Sequence, residues 1–215
     1  MALQPIGRDG GTLADIAYER ISQAMLSGDI KPGVRLVMDR LATQLDISRT
    51  PVRDALLRLE REGIIEPTGR RGYVVRAHSR DDALQCYEAR EAVEGYAARR
   101  VAELGKPALD HVKAALDAVK AADESTSMSV YRSHLKVHRS VVEATGNLAL
   151  VDLFDSVWQR AKGLYLFADF LAHRETNETV YLGHRSLLTA MRKGPDEAFE
   201  AMRQHIRAGL NVHLS

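Results

Sequence analysis

The sequence predicts a mainly α-helical chain, with three helices and a short β-hairpin at the N-terminal end and then an antiparallel all-α bundle of about six helices. Three observations predict it. Apolar residues recur at helical spacing over most of the chain. Only two short runs, Ile64-Ile65-Glu66 and Tyr73-Val74-Val75, read as strands. From Ser79 onward Ala and Leu are abundant and strand formers scarce, which an antiparallel bundle accommodates best.

Each element has its own warrant. Residues 1–11 show no periodicity and are expected to be disordered or loosely held. In 12–27, Leu13, Ile16, Ala17, Ile21, Ala24 and Met25 form a helical stripe that Gly28 stops. Lys31-Pro32-Gly33 is a turn. Asp39 is placed to cap a short second helix carrying Leu41, Ala42 and Leu45. The third helix runs from about Arg49 to Glu62. Ser48 suits its N-cap, and Pro51 falls in the first turn, where a missing N–H costs little. Val52, Ala55, Leu56 and Leu59 make its buried stripe. Pro67-Thr68-Gly69-Arg70-Arg71-Gly72 joins the two strands, with Gly69 and Gly72 free to take positive φ. Helices then follow over roughly 81–104, 107–122, 128–145, 148–172, 177–193 and 195–211, punctuated by Gly105-Lys106-Pro107, Gly146-Asn147 and Gly194-Pro195. The chain thus divides into 12–77, a linker at 78–80, and 81–215.

Composition narrows the function. Hydrophobic residues at 45 % and charged residues at 27 % are ordinary for a globular protein and exclude disorder of the whole chain. One cysteine, Cys86, excludes a disulfide framework and fits a reducing compartment. No apolar run approaches the roughly 20 residues that span a bilayer, and the start lacks the apolar core of a secretory signal. The expectation is a cytoplasmic protein with no membrane partner. Net charge is +1, but residues 47–80 carry eight Arg against four acids. A basic stretch in a near-neutral chain is a candidate nucleic-acid footprint, with a solvated helix face as the plainer reading.

Helix–turn–helix plus a basic hairpin is a device for duplex DNA, because the second helix of the pair fits the major groove. Arg49 and Arg53 are four apart and share a face; Ser48 and Thr50 are short donors at the same helix start. Arg70 and Arg71 at the hairpin tip are placed to reach a minor groove or the backbone. The segment LATQLDISRTPVRDALLRLEREGIIEPTGRRGYVV, with MLSGDIKPGVRL upstream, closely resembles the winged helix–turn–helix signature of the GntR family of bacterial transcription regulators. The resemblance implies that Arg40, Arg49 and Arg53 contact an operator, assisted by Thr50, and that Gly72 is the wing glycine. Arg58 and Arg61 read as solvated surface.

Four of the eight histidines lie on inward-looking faces of three helices: His134 and His138 at i, i+4, His184 in the stripe Val180, His184, Leu187, Leu188, Met191, and His205 beside Met202 and Ile206. Hydrogen-bonded core histidines are one reading. The other is a transition-metal site in the bundle core. YEAREAVEGYAARRVAE, VHRSVVEATGN, GHRSLLTAM and AMRQHI then resemble, in order, the FCD ligand-binding domain of the FadR-type GntR branch. The resemblance implies a divalent ion, often Zn, on an aspartate and three histidines. The histidines map onto His138, His184 and His205; the aspartate position holds His134. An all-nitrogen set leaves the ion's charge uncompensated, which favours a nitrogen-preferring ion (Zn, or Ni) and attracts an anion. Arg90 matches the arginine that pairs with an effector carboxylate in the family; the alternative is an intrahelical pair with Glu94. Tyr87, Tyr131, Trp158, Tyr165 and Phe167 are candidate pocket walls.

These readings combine into a homodimeric transcription regulator on a two-fold operator, a repressor released by a small carboxylate effector. One alternative is a metal-free FCD regulator sensing an acyl-CoA or a sugar acid. A metal-dependent hydrolase is more remote, because His134-Leu135-Lys136-Val137-His138 lacks the general-base glutamate of H-E-x-x-H.

Overall fold

A computed structural model describes residues 11–26, 28–69, 72–125, 127–167 and 176–214. The residues of the expected loose N-terminus up to Gly10, the hairpin-tip pair Arg70 and Arg71, and the side chains of Tyr165 and Phe167 lie outside what is described. The described residues form two compact units, divided between Ala77 and His78.

In the first unit, α1 (Leu13–Leu26) packs on α3 (Arg49–Arg61). Ala17, Tyr18, Ile21 and Met25 meet Val52, Ala55, Leu56 and Leu59, all essentially inaccessible. Full burial of one such leucine contributes about 1.5–3 kcal/mol. Between them in sequence comes α2 (Met38–Leu45), which packs on α3 and ends on Asp46 in the left-handed conformation at φ 52°, a geometry that a short polar side chain tolerates. The chain reverses there and re-enters helix at Ser48, the N-cap residue of α3, whose side chain makes no capping bond. Asp39 does not cap α2, as the sequence suggested. It lies inside the first turn, and extended Val37 holds the cap position.

The hairpin is part of a larger sheet. Three antiparallel strands stand in the order β1 (Arg35–Val37), β3 (Gly72–Val75), β2 (Ile65–Pro67). Leu36 opposes Tyr73, and Ile65 opposes Val75. Pro67 sits at the end of an edge strand, where no ladder donor is lost. β1 was not expected. Gly72 is also not at positive φ: it is a buried strand residue opposite Val37, and a Cβ there would stand 3.0 Å from Arg35 Nε. Its lack of a side chain serves close packing of the wing rather than the turn.

Among the described residues the regular elements of the second unit are all helical: α4 (Arg80–Arg90), a π turn (Glu91–Gly95), α5 (Tyr96–Leu104), α6 (Lys106–Val119), α7 (Ser127–Glu143), α8 (Leu148–Phe167), α9 (Asn177–Lys193) and α10 (Pro195–Leu214). Within the 78–80 stretch expected as a linker, Ser79 is the N-cap of α4 and Arg80 its first residue. Ser79 and Asp82 form a capping box, with Asp82 N–H donating to Ser79 Oγ at 3.1 Å and Ser79 N–H to the Asp82 carboxylate at 2.8 Å. Thr176 and Thr179 start α9 in the same way. The π turn breaks the helix expected over 81–104. It puts Glu94 and Gly95 in the core, where Gly95 lies so close to α10 that a Cβ would be 2.9 Å from Phe199. α5, α6 and α7 each pack on α9, and α10 packs on α5, α9 and the π turn.

Candidate functional site

The helix–turn–helix presents its basic residues outward. Arg40 on α2 and Arg49, Thr50 and Arg53 on α3 are exposed, as is Ser48, while the opposite face of α3 is core. Arg49 is 68 % exposed and ion-pairs Asp39, itself exposed. An ion pair in water is worth ~0–1 kcal/mol, so it leaves the guanidinium open to exchange for a stronger anion. Arg58 is different. Its guanidinium lies 3.8 Å over the Tyr18 ring and bonds Glu62 at 3.4 Å, and Tyr18 donates to Glu62 at 2.7 Å. It ties α3 to α1. Gly72 is buried in β3.

In the bundle, α7 supplies His134 and His138, α9 His184 and α10 His205. Their Nε2 atoms converge on that of His138: His134 at 2.9 Å, His184 at 3.0 Å and His205 at 3.3 Å. One ligand atom from each of the four lies within 4.8 Å of every other. His138 Nδ1 faces Glu94 Oε2 at 2.5 Å, and His184 Nδ1 faces the Val180 carbonyl at 2.7 Å. Both partners only accept, so both Nδ1 atoms carry the hydrogen and both Nε2 atoms are bare lone pairs. Burial, reinforced by the neighbouring histidines, pushes the pKa of His138 and of His184 well below the ordinary value; burial takes His205 down to about 4. Two such lone pairs 3.0 Å apart repel each other, and a cation held between the rings turns that repulsion into attraction. A tetrahedral zinc ion with bonds of about 2.0–2.1 Å spaces its nitrogens by roughly 3.3 Å, so the donor set fits such an ion in number, kind and spacing.

Behind His138 lies a second layer. Glu94 Oε1 accepts from Arg90 Nε at 2.7 Å and from Trp158 Nε1 at 2.9 Å. The Arg90 guanidinium stands 4.1 Å over the Trp158 ring and 5.1 Å from the centre of Tyr87. Tyr131 is buried with its ring centre 6.3 Å from that of Trp158. Arg90 and Glu94 are 3 % and 1 % exposed, so the guanidinium is committed to an internal carboxylate.

Comparison with known proteins decides the family. Residues 85–208 match the FCD domain, and residues 13–75 match bacterial regulatory proteins, gntR family. The chain belongs to the GntR family, in its FCD branch. It is a DNA-binding transcription regulator, not an enzyme. It is 28 % identical to the Uxu operon transcriptional regulator of Escherichia coli K12 over 86 % of this chain and 80 % of that one. With YdhC of Bacillus subtilis it shares 25 % over 90 % and 86 %. A regulator from the TAR-I region of Agrobacterium vitis is 36 % identical, over 46 % of this chain and 57 % of that protein. The fold is that of E. coli McbR/YncC, with a TM-score of 0.66 at 19 % identity, covering 95 % of this chain and 98 % of that one. Among the described residues no helix is long and apolar enough to cross a membrane.

Set beside this GntR/FCD frame, the structure brings together all four histidines named from the sequence, including His134 in the aspartate position. It places the Arg90 guanidinium over Trp158, with Tyr87 near the guanidinium and Tyr131 near the indole. The sequence reading missed Glu94, considered only as an intrahelical partner of Arg90. Its signal was chemical: an acid four residues from Arg90 on an otherwise apolar inner face needs more than one donor.

Proposed function

We propose that the chain is a homodimeric repressor whose operator affinity is set by a small carboxylate bound at a metal-containing bundle core. Arg40, Ser48, Arg49, Thr50 and Arg53 read a two-fold operator, and Arg70, Arg71 and Gly72 are assigned to the same operator from the sequence. His134, His138, His184 and His205 hold one divalent ion, Zn or another nitrogen-preferring ion such as Ni. The observation that carries the metal reading is the pair of bare Nε2 atoms of His138 and His184 at 3.0 Å, their hydrogens committed to Glu94 and Val180.

When bound, the ion supplies a +2 charge that four imidazoles do not neutralise, and an anion completes the balance. The effector carboxylate therefore goes to the ion in preference to Arg90, whose charge Glu94 already balances. Tyr87 and Tyr131 wall the apolar part of that space. The ligand histidines come from α7, α9 and α10, so occupancy fixes how these three helices pack. Operator affinity then shifts by a coupling of about 1–3 kcal/mol. The repressor sense follows the Paenarthrobacter nicotinovorans relative named a probable D-xylose utilization operon transcriptional repressor, 26 % identical over 93 % of this chain and 88 % of that one.

The test is selection of bound duplexes from a random pool, followed by titration of the selected DNA with Zn-loaded and chelator-stripped protein. A panel of small organic acids is added to each. Weaker DNA binding with one acid, in the loaded protein alone, supports the reading. The same response in stripped protein places the acid elsewhere.

A further inference from the structure

Among the described residues Glu94 is the one acidic side chain in the core of either unit. A carboxylate taken out of water is retained only where hydrogen bonds and a counter-charge replace its solvent. Arg90 alone meets the charge requirement. Glu94 nevertheless reaches two further elements: it accepts from His138 on α7 and from Trp158 on α8, 44 and 64 residues away in sequence. The π turn makes this reach possible, since π turns recur where a helix face is redirected at a functional site.

We propose that Glu94 is the positioning residue of the metal site. By accepting the Nδ1 hydrogen of His138 it fixes the tautomer that leaves Nε2 bare, and its other oxygen joins that choice to Arg90 and Trp158. The proposal rests on the metal reading of the four histidines. An amide at this position cannot satisfy every neighbour. Arg90, Trp158 and His138 all donate to Glu94, so the NH2 of a glutamine must meet a donor on one side or turn the His138 ring to its Nε2–H form. That form has its lone pair on Nδ1, on the side away from the other three histidines.

The experiment compares the full-length wild type, Glu94→Gln and Leu116→Ala. The last is a core truncation on α6, which supplies nothing to the site. Zn²⁺ affinity is measured by competition with a chelator. Trp158, the only tryptophan, reports the site by fluorescence. The His138 tautomer is read from ring ¹⁵N shifts in zinc-free protein. We expect Glu94→Gln to bind Zn²⁺ about 10–100-fold more weakly, to carry the His138 hydrogen on Nε2 in the zinc-free state and to show the Zn²⁺-dependent change in Trp158 emission only at correspondingly higher Zn²⁺. Leu116→Ala keeps all three wild-type values while losing stability. If the wild type takes up Zn²⁺ and Glu94→Gln binds it equally well with the tautomer unmoved, the metal reading stands and the assignment to Glu94 is overturned. If the wild type takes up no divalent ion, both fall. Should Glu94→Gln not fold, the wild-type spectrum decides: hydrogen on Nδ1 of His138 supports the assignment, hydrogen on Nε2 overturns it.

Discussion

His138 and His184 present bare nitrogens to each other across 3.0 Å, because each has given its ring hydrogen to an acceptor on the far side. In a metal-free core this contact is repulsive, and with a cation it becomes half of a coordination shell. On the proposed metal reading the bundle core takes an ion, and metal removal is the first perturbation to examine. At a free-ion concentration of about 100 Kd, ligation stabilises the folded unit by about 2.7 kcal/mol. Zn²⁺ should raise the melting temperature of the wild type. His138→Ala and His184→Ala should each abolish that rise while leaving a folded DNA binder.

Acid should unfold the metal-free bundle early. His138, His184 and His205 all have folded pKa values below the ordinary 6.5, His205 at about 4. Between those limits the unfolded chain binds more protons than the folded one. Stability therefore rises with pH through this window and falls as the solution is acidified below about 6.5. Denaturant melts of chelator-stripped protein from pH 7.5 to 4.5 should show a steady loss, and bound Zn²⁺ should move its onset to lower pH. A flat profile would mean that the histidines are solvated.

On the DNA side two arginines of α3 should separate cleanly. Arg53 is exposed beside Arg49, so Arg53→Ala should cost about 1–3 kcal/mol of discrimination between a selected and a scrambled duplex. Arg58 stacks on Tyr18 and pairs Glu62. Arg58→Ala should lower the stability of the first unit and leave DNA discrimination unchanged. Competition binding and thermal melts on the same two variants check both statements.

Gly95 marks the closest approach of the π turn to α10. A methyl there would sit 2.9 Å from Phe199, and overpacking of this kind costs about 1–3 kcal/mol. Gly95→Ala should destabilise by that amount, and adding Phe199→Leu should return part of it. A double-mutant cycle that comes out additive would separate the two residues.

Much of this was readable from the residue order. Helix stripes, the Ser48 entry to α3 and the inward faces of the four histidines all depend on local spacing, which a linear pattern records. What escaped depends on distant partners. β1 is three residues long and exists through its pairing with β3, more than thirty residues on. The π turn adds one residue to a helix without disturbing the apolar stripe enough to show. Gly72 looked like a turn residue because its packing against Arg35 lies across the sheet. Glu94 looked like half of an i, i+4 pair because His138 and Trp158 are remote in sequence.

The central claim is that four imidazoles from three helices hold one divalent ion. Elemental analysis of the full chain, purified without chelator and run beside His138→Ala, tests it most directly. About one ion per wild-type chain and essentially none in the variant is the predicted result. A wild type with no bound ion, or a variant loaded equally with the wild type, would contradict it.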